Sequence, residues 1–356
     1  MGKNGGTILL TTLWVLVMLS TLALGLAFQA RLELAMSSFE EETQRLDLLM
    51  QGALNRALAC LEADRQLDVD AYNELWAAPV TYNSEEDARS AKGEGEGESV
   101  ELRWLVLDEN RKVPINTVSE EIIAGMLEAQ YGAEVSASEL ASYMLDWIDA
   151  DDVGYGESRQ YAYRDPPYSC RNDAMRRIEE ILYVQDVTPW LFFGEDANCD
   201  GVLDPNEDDG DENLPFDNAD GRLQQGLRDL FTVYGEGEVN ANTVDGPVLE
   251  ALCNAVLDPA KAREGAAKIV AERAGPDGDP GTSDDRPFTS ISSIRNAIGS
   301  ENYRTLSANG VQLVPYSRAF TVILEAKCLS SEVQRAARVV IVRERNGLQV
   351  LSWQWS

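Results

Sequence analysis

The hydrophobic pattern divides the chain into a long apolar start and a predominantly polar remainder. Residues 7–28 contain no charged side chain. At about 1.5 Å per residue they would form a helix of roughly 33 Å, long enough to cross the ~30 Å hydrocarbon core of a bilayer. Over residues 29–78 the apolar side chains recur at helical spacing, for example at Leu32, Leu46 and Leu58. We therefore expect one long helix that spans a membrane over 7–28 and continues as an amphipathic helix over 29–78.

A segment without periodicity follows the helix and precedes the first predicted strand. Residues 79–98 end in the run Lys92-Gly-Glu-Gly-Glu-Gly-Glu98, which is typical of an acidic, flexible linker. Residues 100–107 then alternate apolar and polar side chains and predict a β-strand.

The C-terminal part of the chain predicts an antiparallel meander. Its strand patterns are rich in Val, Ile and Phe, and Asn346-Gly347 is a hairpin signal before the last of them. These strands lie at 318–327, 336–343 and 348–353. The pattern as a whole predicts one sheet made from residues 99–115 and 310–356.

Residues 116–309 predict a mostly helical insertion within this sheet. Val113-Pro-Ile-Asn-Thr-Val118 and Val239-Asn-Ala-Asn-Thr-Val244 share one pattern, and each precedes a helical segment. Helix-hairpin-helix units that bind DNA begin similarly, but no Gly-x-Gly hairpin follows either copy and the local charge is negative. We interpret both copies as helix starts in a structural domain. The predicted fold class is therefore α+β, with a long N-terminal helix packed on a small antiparallel sheet.

Composition excludes several classes of function. The chain has 30 basic and 61 acidic residues, a net charge of −31, so it lacks the basic surface needed to bind nucleic acid. It contains no histidine, which excludes the histidine-based nucleophile pairs. A carboxylate pair could still hydrolyse glycosides, but no pair stands out. We expect a protein that is not an enzyme.

The five cysteines, at positions 60, 170, 199, 253 and 328, are too few for a disulfide scaffold. Two interpretations remain open. In an oxidising compartment Cys170 could pair with Cys199 and Cys253 with Cys328; otherwise they are buried free thiols.

The strongest motif for ligand chemistry begins at Asp196 and matches a twelve-residue EF-hand loop. Gly201 occupies the sixth position, which requires a sharp turn, and Val202 can offer its backbone carbonyl. The predicted ligands of a Ca²⁺ ion are Asp196, Asn198, Asp200, Val202, Asp204 and Glu207. The alternative is a solvated acidic loop.

Two weaker acidic stretches match no defined loop. The first is a candidate for a second metal ion and contains Asp277, Asp279, Asp284 and Asp285. The second contains Asp149, Asp151, Asp152 and Glu157 and could likewise hold an ion. Solvated loops are the alternative for both.

Three interpretations of the N-terminus compete. A cleavable secretory signal has an apolar core of only about 7–15 residues, and a plain signal anchor does not account for the Gly5-Gly6 pair. A prepilin-type leader of residues 1–6, cut between Gly6 and Thr7, accounts for both. Filament-forming pilins usually carry a glutamate five residues after the cut, which is costly inside a bilayer; here Thr11 occupies that position.

With this leader and Thr11, the sequence resembles the K-type minor pseudopilins of the type II (general) secretion pathway, whose apolar helix lacks the glutamate. The segment from Asp146 to Glu157 resembles another landmark of that family. The resemblance implies a pilin-like fold, with residues 116–309 as the helical insertion. It also implies a single-pass protein of the inner membrane, with its N-terminus in the cytoplasm and its C-terminal domain in the periplasm.

The resemblance further implies a place at the tip of the pseudopilus, where the protein acts in assembly and in export across the outer membrane. Prepilin peptidase, the inner membrane and other minor pseudopilins, contacted through the N-terminal helix, are the implied partners, with methylation at Thr7 and contact with exported substrates as further expectations. The alternative is a membrane-anchored, calcium-dependent binding module that joins no filament.

Overall fold

This computed structural model has an α+β fold in which one long helix packs on an antiparallel sheet. The residues that it describes are 5–64, 67–83, 99–132, 135–196, 203–205, 207–208, 210, 219, 221, 223–331, 333–345 and 347–355.

The first helix, α1, runs from Gly5 to Ala63. Its 59 residues correspond to a length of about 90 Å at 1.5 Å per residue. From Leu9 to Glu41 every side chain is exposed, whereas Leu46, Met50 and Leu61 are buried against the sheet. The helix therefore has a free N-terminal part and a packed C-terminal part, as the change from an uncharged to an amphipathic pattern predicts.

The sheet has five strands in the order β1-β2-β7-β8-β9, and all neighbours in it are antiparallel. Its alternating β-branched and aromatic residues face α1 and form one core with it. This confirms the predicted pilin-like arrangement. The strands are β1 (Val80–Asn83), β2 (Val100–Asp108), β7 (Ala319–Cys328), β8 (Gln334–Glu344) and β9 (Gly347–Trp355).

The insertion between β2 and β7 is mostly helical and has its own hydrophobic core. Its helices are α2 (Glu120–Tyr131), α3 (Ala137–Ile148), α4 (Ser158–Tyr161), α5 (Pro189–Phe193), α6 (Leu227–Leu230), α7 (Gly246–Asn254), α8 (Pro259–Arg273), α9 (Ile291–Ile298) and α10 (Ser300–Ala308), with 3-10 turns at Glu109–Arg111 and Ile178–Tyr183.

The two Asn-Thr-Val segments begin two units of similar construction. In the first unit β3 (Val113–Pro114) pairs in parallel with β4 (Phe231–Thr232). In the second, β5 (Glu238–Asn240) pairs in parallel with β6 (Gln312–Val314). Each unit is thus a group of helices closed by a very short parallel strand pair.

Several boundaries differ from those that the sequence pattern predicts. The helix predicted over 29–78 ends at Ala63, because Val69, Asp70 and Ala71 are all buried, which a helix lying on a sheet by one face cannot achieve. Residues 80–83 of the predicted linker 79–98 instead form an edge strand paired with β2. The remainder of that linker lies outside the described residues.

The predicted boundaries of the sheet also differ at the insertion. Val113–Pro114 and Gln312–Val314 fall within the predicted sheet ranges 99–115 and 310–356, but they pair inside the insertion. The insertion therefore starts directly after Asp108 and continues to Val314, which is longer at both ends than the predicted 116–309.

Candidate functional sites: the free helix and the acidic loops

The free part of α1 carries large apolar side chains that contact no other part of the described chain. Leu9, Trp14 and Phe28 are 75%, 67% and 70% exposed, and the first charged residue of the helix is Arg31. This is the only helix among the described residues that is long and apolar enough to cross a membrane. The cost of leaving these side chains in water is removed in a lipid bilayer or between similar helices, and the chain therefore has a single-pass anchor.

The predicted cleavage site lies at the start of this helix. Gly6 and Thr7 belong to its first turns, and Thr11 is exposed one turn further along.

The end of α1 lies at the end of the sheet from which the insertion leaves. Arg343, on β8, donates to the buried Asp70 at 2.9 Å and lies 3.4 Å from the Asp64 carboxylate, just after α1. Ser317 donates its backbone N–H to the same Asp70 at 2.7 Å. The insertion is therefore attached at the end of the molecule remote from the free part of α1.

Two adjacent carboxylates at this junction are buried in different surroundings. Asp108 accepts hydrogen bonds from Asn240, Thr243 and Ser317; burial raises its pKa although these donors oppose the rise. For Glu109 burial also acts to raise the pKa, but the charge of Lys112, 3.2 Å away, the hydrogen bond from Thr321 and the charge of Arg338 together outweigh it and hold the pKa at about 2. These side chains fix the direction in which the insertion leaves the sheet.

The repeated asparagines have the same structural role in the two units. Asn116 accepts the backbone N–H of Met175 at 2.8 Å and donates to its carbonyl at 2.9 Å. Asn242 does the same with Phe288, at 2.7 and 3.1 Å, and also donates to the Pro315 carbonyl. Each side chain amide pairs with a peptide group far along the chain, which explains the repeated Asn as a structural residue.

The predicted calcium loop lies mostly outside the described residues, which include only Asp196, Asp204 and Glu207 of its six candidate ligands. Asp196 and Glu207 are buried, and Arg228 donates to the Asp196 carbonyl. The Glu207 carboxylate accepts the backbone N–H of Asp204 at 3.0 Å. The other candidate ligands, Asn198, Asp200 and Val202, lie in the part of the chain that is not described.

The predicted second metal loop is closed by its own hydrogen bonds. Asp277 accepts the N–H of Asp279 at 2.9 Å, Asp284 accepts the Thr282 hydroxyl at 2.7 Å, and Asp285 accepts the N–H of Gly281 at 2.7 Å. No three of the four carboxylates Asp277, Asp279, Asp284 and Asp285 converge within 4.8 Å of one another. Metal binding here stays a prediction.

Carboxylates converge instead at two other places in the described chain. Asp64, Asp70 and Glu74 form one group, but Arg343 lies among them. The other group is Asp146, Asp149 and Glu157, each with one oxygen within 4.8 Å of the other two.

In this second group, burial and the neighbouring negative charges of Asp146, Asp149 and Asp152 raise the pKa of Glu157 to about 7. The sequence indicated Asp149 and Glu157 but not Asp146, because Asp146 lies inside the amphipathic pattern of α3. Its position one turn before Asp149, on the last turn of a helix, is a signal that could have revealed it.

Of the two predicted cysteine pairings, only that of Cys253 with Cys328 lies wholly in the described chain, and it is not formed. Cys253 lies in the core of the insertion and Cys328 in the sheet, and both are free thiols. Cys170 is also a free thiol and donates to the Gly156 carbonyl at 3.1 Å. Cys199 lies outside the described residues.

Comparison with known proteins finds a family model that matches part of the chain and a solved structure with the same fold. Residues 100–192 match the first-domain model of protein K of the type II secretion system. One chain of a solved GspK-GspI-GspJ complex, from the type 2 secretion system of enterotoxigenic Escherichia coli, has the same fold with a TM-score of 0.58. The two chains are 15% identical, and the match covers 89% of this chain and 98% of that one.

No curated protein sequence matches the chain significantly. The family match covers β2, α2 and α3, at the start of the insertion, and the structural match covers 89% of the chain. The comparisons therefore show the fold of this solved chain and, over residues 100–192, a similarity to protein K of the type II secretion system.

Proposed function

We propose that this chain is the minor pseudopilin at the tip of a type II secretion pseudopilus, with a non-enzymatic role in pseudopilus assembly and protein export across the outer membrane. The observation that carries the proposal is the division of α1 into an apolar N-terminal part that is exposed and a C-terminal part that packs on the sheet. A helix of this kind can be held first by a bilayer and then by the helices of other subunits.

The position of the insertion supports a place at the tip. It leaves the sheet after Asp108 and returns at Ala319, and these residues lie where α1 ends near Arg343. A body of this size at the end remote from the membrane helix blocks the stacking of a further subunit above it. Thr11 agrees with this place, since a subunit with none above it has no partner for a buried glutamate.

The proposed topology follows from the helix and the leader. Prepilin peptidase cuts between Gly6 and Thr7 on the cytoplasmic side of the inner membrane, and the new N-terminus is methylated. The acidic remainder of the chain lies in the periplasm. This proposal rests on the Gly5-Gly6 pair and the uncharged segment that follows it.

Other minor pseudopilins are the proposed partners of α1, as the solved relative is in a complex with GspI and GspJ. A Cβ atom added at Gly25 would meet no atom of this chain within 4 Å, so this position is free for close approach by another helix. Exported proteins are a further class of proposed partner, because a subunit at the tip is the first to meet them.

Calcium is proposed to stabilise the loop of residues 196–207. A loop with this many like charges folds more easily when a hard cation with oxygen ligands neutralises them. Bound in this way, Ca²⁺ has a structural role and takes part in no reaction.

The proposed role is tested by deleting the chain in its own host and supplying variants on a plasmid. The deletion should abolish secretion of type II substrates, and the full chain should restore it. Gly25→Leu should weaken copurification with other minor pseudopilins, since a bulky side chain prevents close helix packing. Ala27→Leu, about 200° around the helix, is the matched control. Normal secretion in the deletion strain would contradict the proposal.

A further inference from the structure

A cavity of about 450 Å³ lies between the outer face of the sheet and the insertion. The register of β7, β8 and β9 places Thr321, Val340 and Ser352 on the face of the sheet opposite the one that packs on α1. The cavity is closed on its other side by β4 and by residues 176–179, at the start of a 3-10 turn. Its volume falls within the range of about 300–1,000 Å³ that is typical of ligand sites.

The charge of the cavity wall is opposite to that of the chain. The chain has 61 acidic and 30 basic residues, but among the described residues four basic side chains and only two acidic ones line the cavity. The basic ones are Lys112, Arg176, Arg177 and Arg338, and the acidic ones are Glu109 and Glu179. This local excess of positive charge attracts an anionic group.

Part of the positive charge lies deep in the cavity. Glu109 and Lys112 are both buried and form an ion pair at 3.2 Å. Arg338, half-buried on β8, adds a second positive charge that also acts on Glu109. One carboxylate here therefore faces two cations, at a place where salt screens charges less than at the exposed surface.

The rim of the cavity has a further cation and a donor without a partner. Arg177 lies 3.4 Å from Glu179, whereas the exposed Arg176 forms no ion pair among the described residues. The buried Oγ atom of Ser352 has no hydrogen-bond partner in the described chain. A guanidinium group and a hydroxyl together suit a carboxylate, which accepts several hydrogen bonds.

One wall of the cavity belongs to β9, the last strand of the sheet. Leu351, Ser352 and Gln354 line the cavity, and β9 pairs with β8 alone. The backbone groups on its other edge pair with no segment of the described chain, so an extended segment can add there as a further strand. Val350 and Leu351 are 41% and 47% exposed, and they give such a segment an apolar surface to contact.

We propose that this cavity binds a carboxylate side chain of an acidic, extended segment of a partner protein, whose backbone lies along the free edge of β9. Lys112 and Arg338 attract the carboxylate, and Arg176 and Ser352 donate hydrogen bonds to it. The net charge of the chain repels acidic segments elsewhere, so this cavity also selects where such a partner docks. The inference goes beyond the proposed place in a pseudopilus, because it holds whether or not the chain joins a filament.

The test is the binding of a fluorescent peptide of alternating threonine and glutamate to the full chain in detergent micelles, measured by fluorescence anisotropy. A peptide with glutamine in place of glutamate should bind about tenfold more weakly, because it has no charge. Arg176→Gln should raise the Kd about threefold, as for an exposed ion pair, and Arg338→Gln about tenfold, because Arg338 is shielded from solvent. Arg304→Gln, at an exposed arginine outside the cavity, is the matched control and should leave the Kd unchanged.

Peptides with N-methyl groups test the contact with β9. Methyl groups on one alternate set of backbone nitrogens remove the donors that face β9 and should abolish binding, whereas on the other set they face away and should leave it unchanged. Thermal unfolding shows that each variant is folded. Because Arg176 is exposed and unpaired, its replacement should leave the Tm unchanged and change only the Kd.

The proposal is overturned if the folded, unmodified chain does not bind the glutamate peptide, or binds the glutamine peptide equally well. It is also overturned if Arg176→Gln and Arg338→Gln both keep the Kd of the unmodified chain. If inorganic phosphate displaces the peptide at an equal concentration, the cavity is a site for small anions and not for a protein segment. Equal binding of both N-methylated peptides would contradict the pairing with β9.

Discussion

The paired asparagines allow a quantitative prediction, because the same side chain has the same type of partner in two surroundings. Asn242 is 4% exposed and makes three hydrogen bonds, two to Phe288 and one to Pro315. Asn116 is half-buried and makes two, both to Met175. Asn242→Ala leaves the buried N–H of Phe288 and two carbonyls without partners.

The expected cost of Asn242→Ala is about 3 kcal/mol in the free energy of unfolding, since a buried group left unsatisfied costs roughly 1–3 kcal/mol. Asn116→Ala should cost only about 1 kcal/mol, because water can reach the peptide group that it exposes. The two substitutions remove the same atoms, so the difference between their costs in the free energy of unfolding measures the effect of burial.

Native-state hydrogen exchange of the full chain in micelles measures both changes. The protection factor of the Phe288 amide should fall about a hundredfold in Asn242→Ala, and that of the Met175 amide about fivefold in Asn116→Ala. Asn242→Asp should be no better than Asn242→Ala, since a carboxylate cannot donate to the two carbonyls. Equal losses in the two alanine variants would refute the reasoning.

Three further predictions follow from the junction and the loop. Arg343→Ala should lower the free energy of unfolding by about 3–5 kcal/mol in denaturant titrations, because it removes the positive charge beside the buried Asp70, whose side chain then keeps only the Ser317 N–H as a donor. Glu109 has a pKa of about 2, below its ordinary value of 4.5. Its ionised form therefore contributes about 3 kcal/mol to the free energy of unfolding above pH 4.5, and this contribution is lost as the pH falls towards 2. In Glu109→Gln the free energy of unfolding should depend less on pH between 4.5 and 2, as acid unfolding curves measure. Gly154→Ala should destabilise the first unit of the insertion in thermal unfolding without affecting membrane association, because its Cβ atom would lie 2.2 Å from the Asp146 carboxylate.

The sequence predicts the long elements of this fold well and the short ones poorly. Residues 100–107 and 318–327 become β2 and β7 almost without change, since alternation over many residues is a strong signal. Strands of two or three residues, such as Val113–Pro114, are too short to carry a period. They form because each unit of the insertion brings two chain segments together, which no local pattern shows.

The end of α1 and the acidic cluster have a similar explanation. Apolar residues continue at helical spacing beyond Ala63, but Asp70 and Trp76 are buried by contacts with the sheet that are remote in sequence. Likewise Asp146 and Glu157 are eleven positions apart, and only the loop between them brings their carboxylates together. The EF-hand pattern of residues 196–207 is by contrast visible in the sequence, because all of its ligands are local.

The central claim, that the chain is a processed pseudopilin, is tested most directly by the mass and N-terminal sequence of the protein. The protein is recovered from membranes of its own host, with prepilin peptidase present or deleted. We predict a chain that begins at Thr7 and carries one methyl group when the peptidase is present, and an uncut chain in the deletion strain. A chain that keeps Gly5 and Gly6 in both strains, or one that begins near Gln29, would contradict the account.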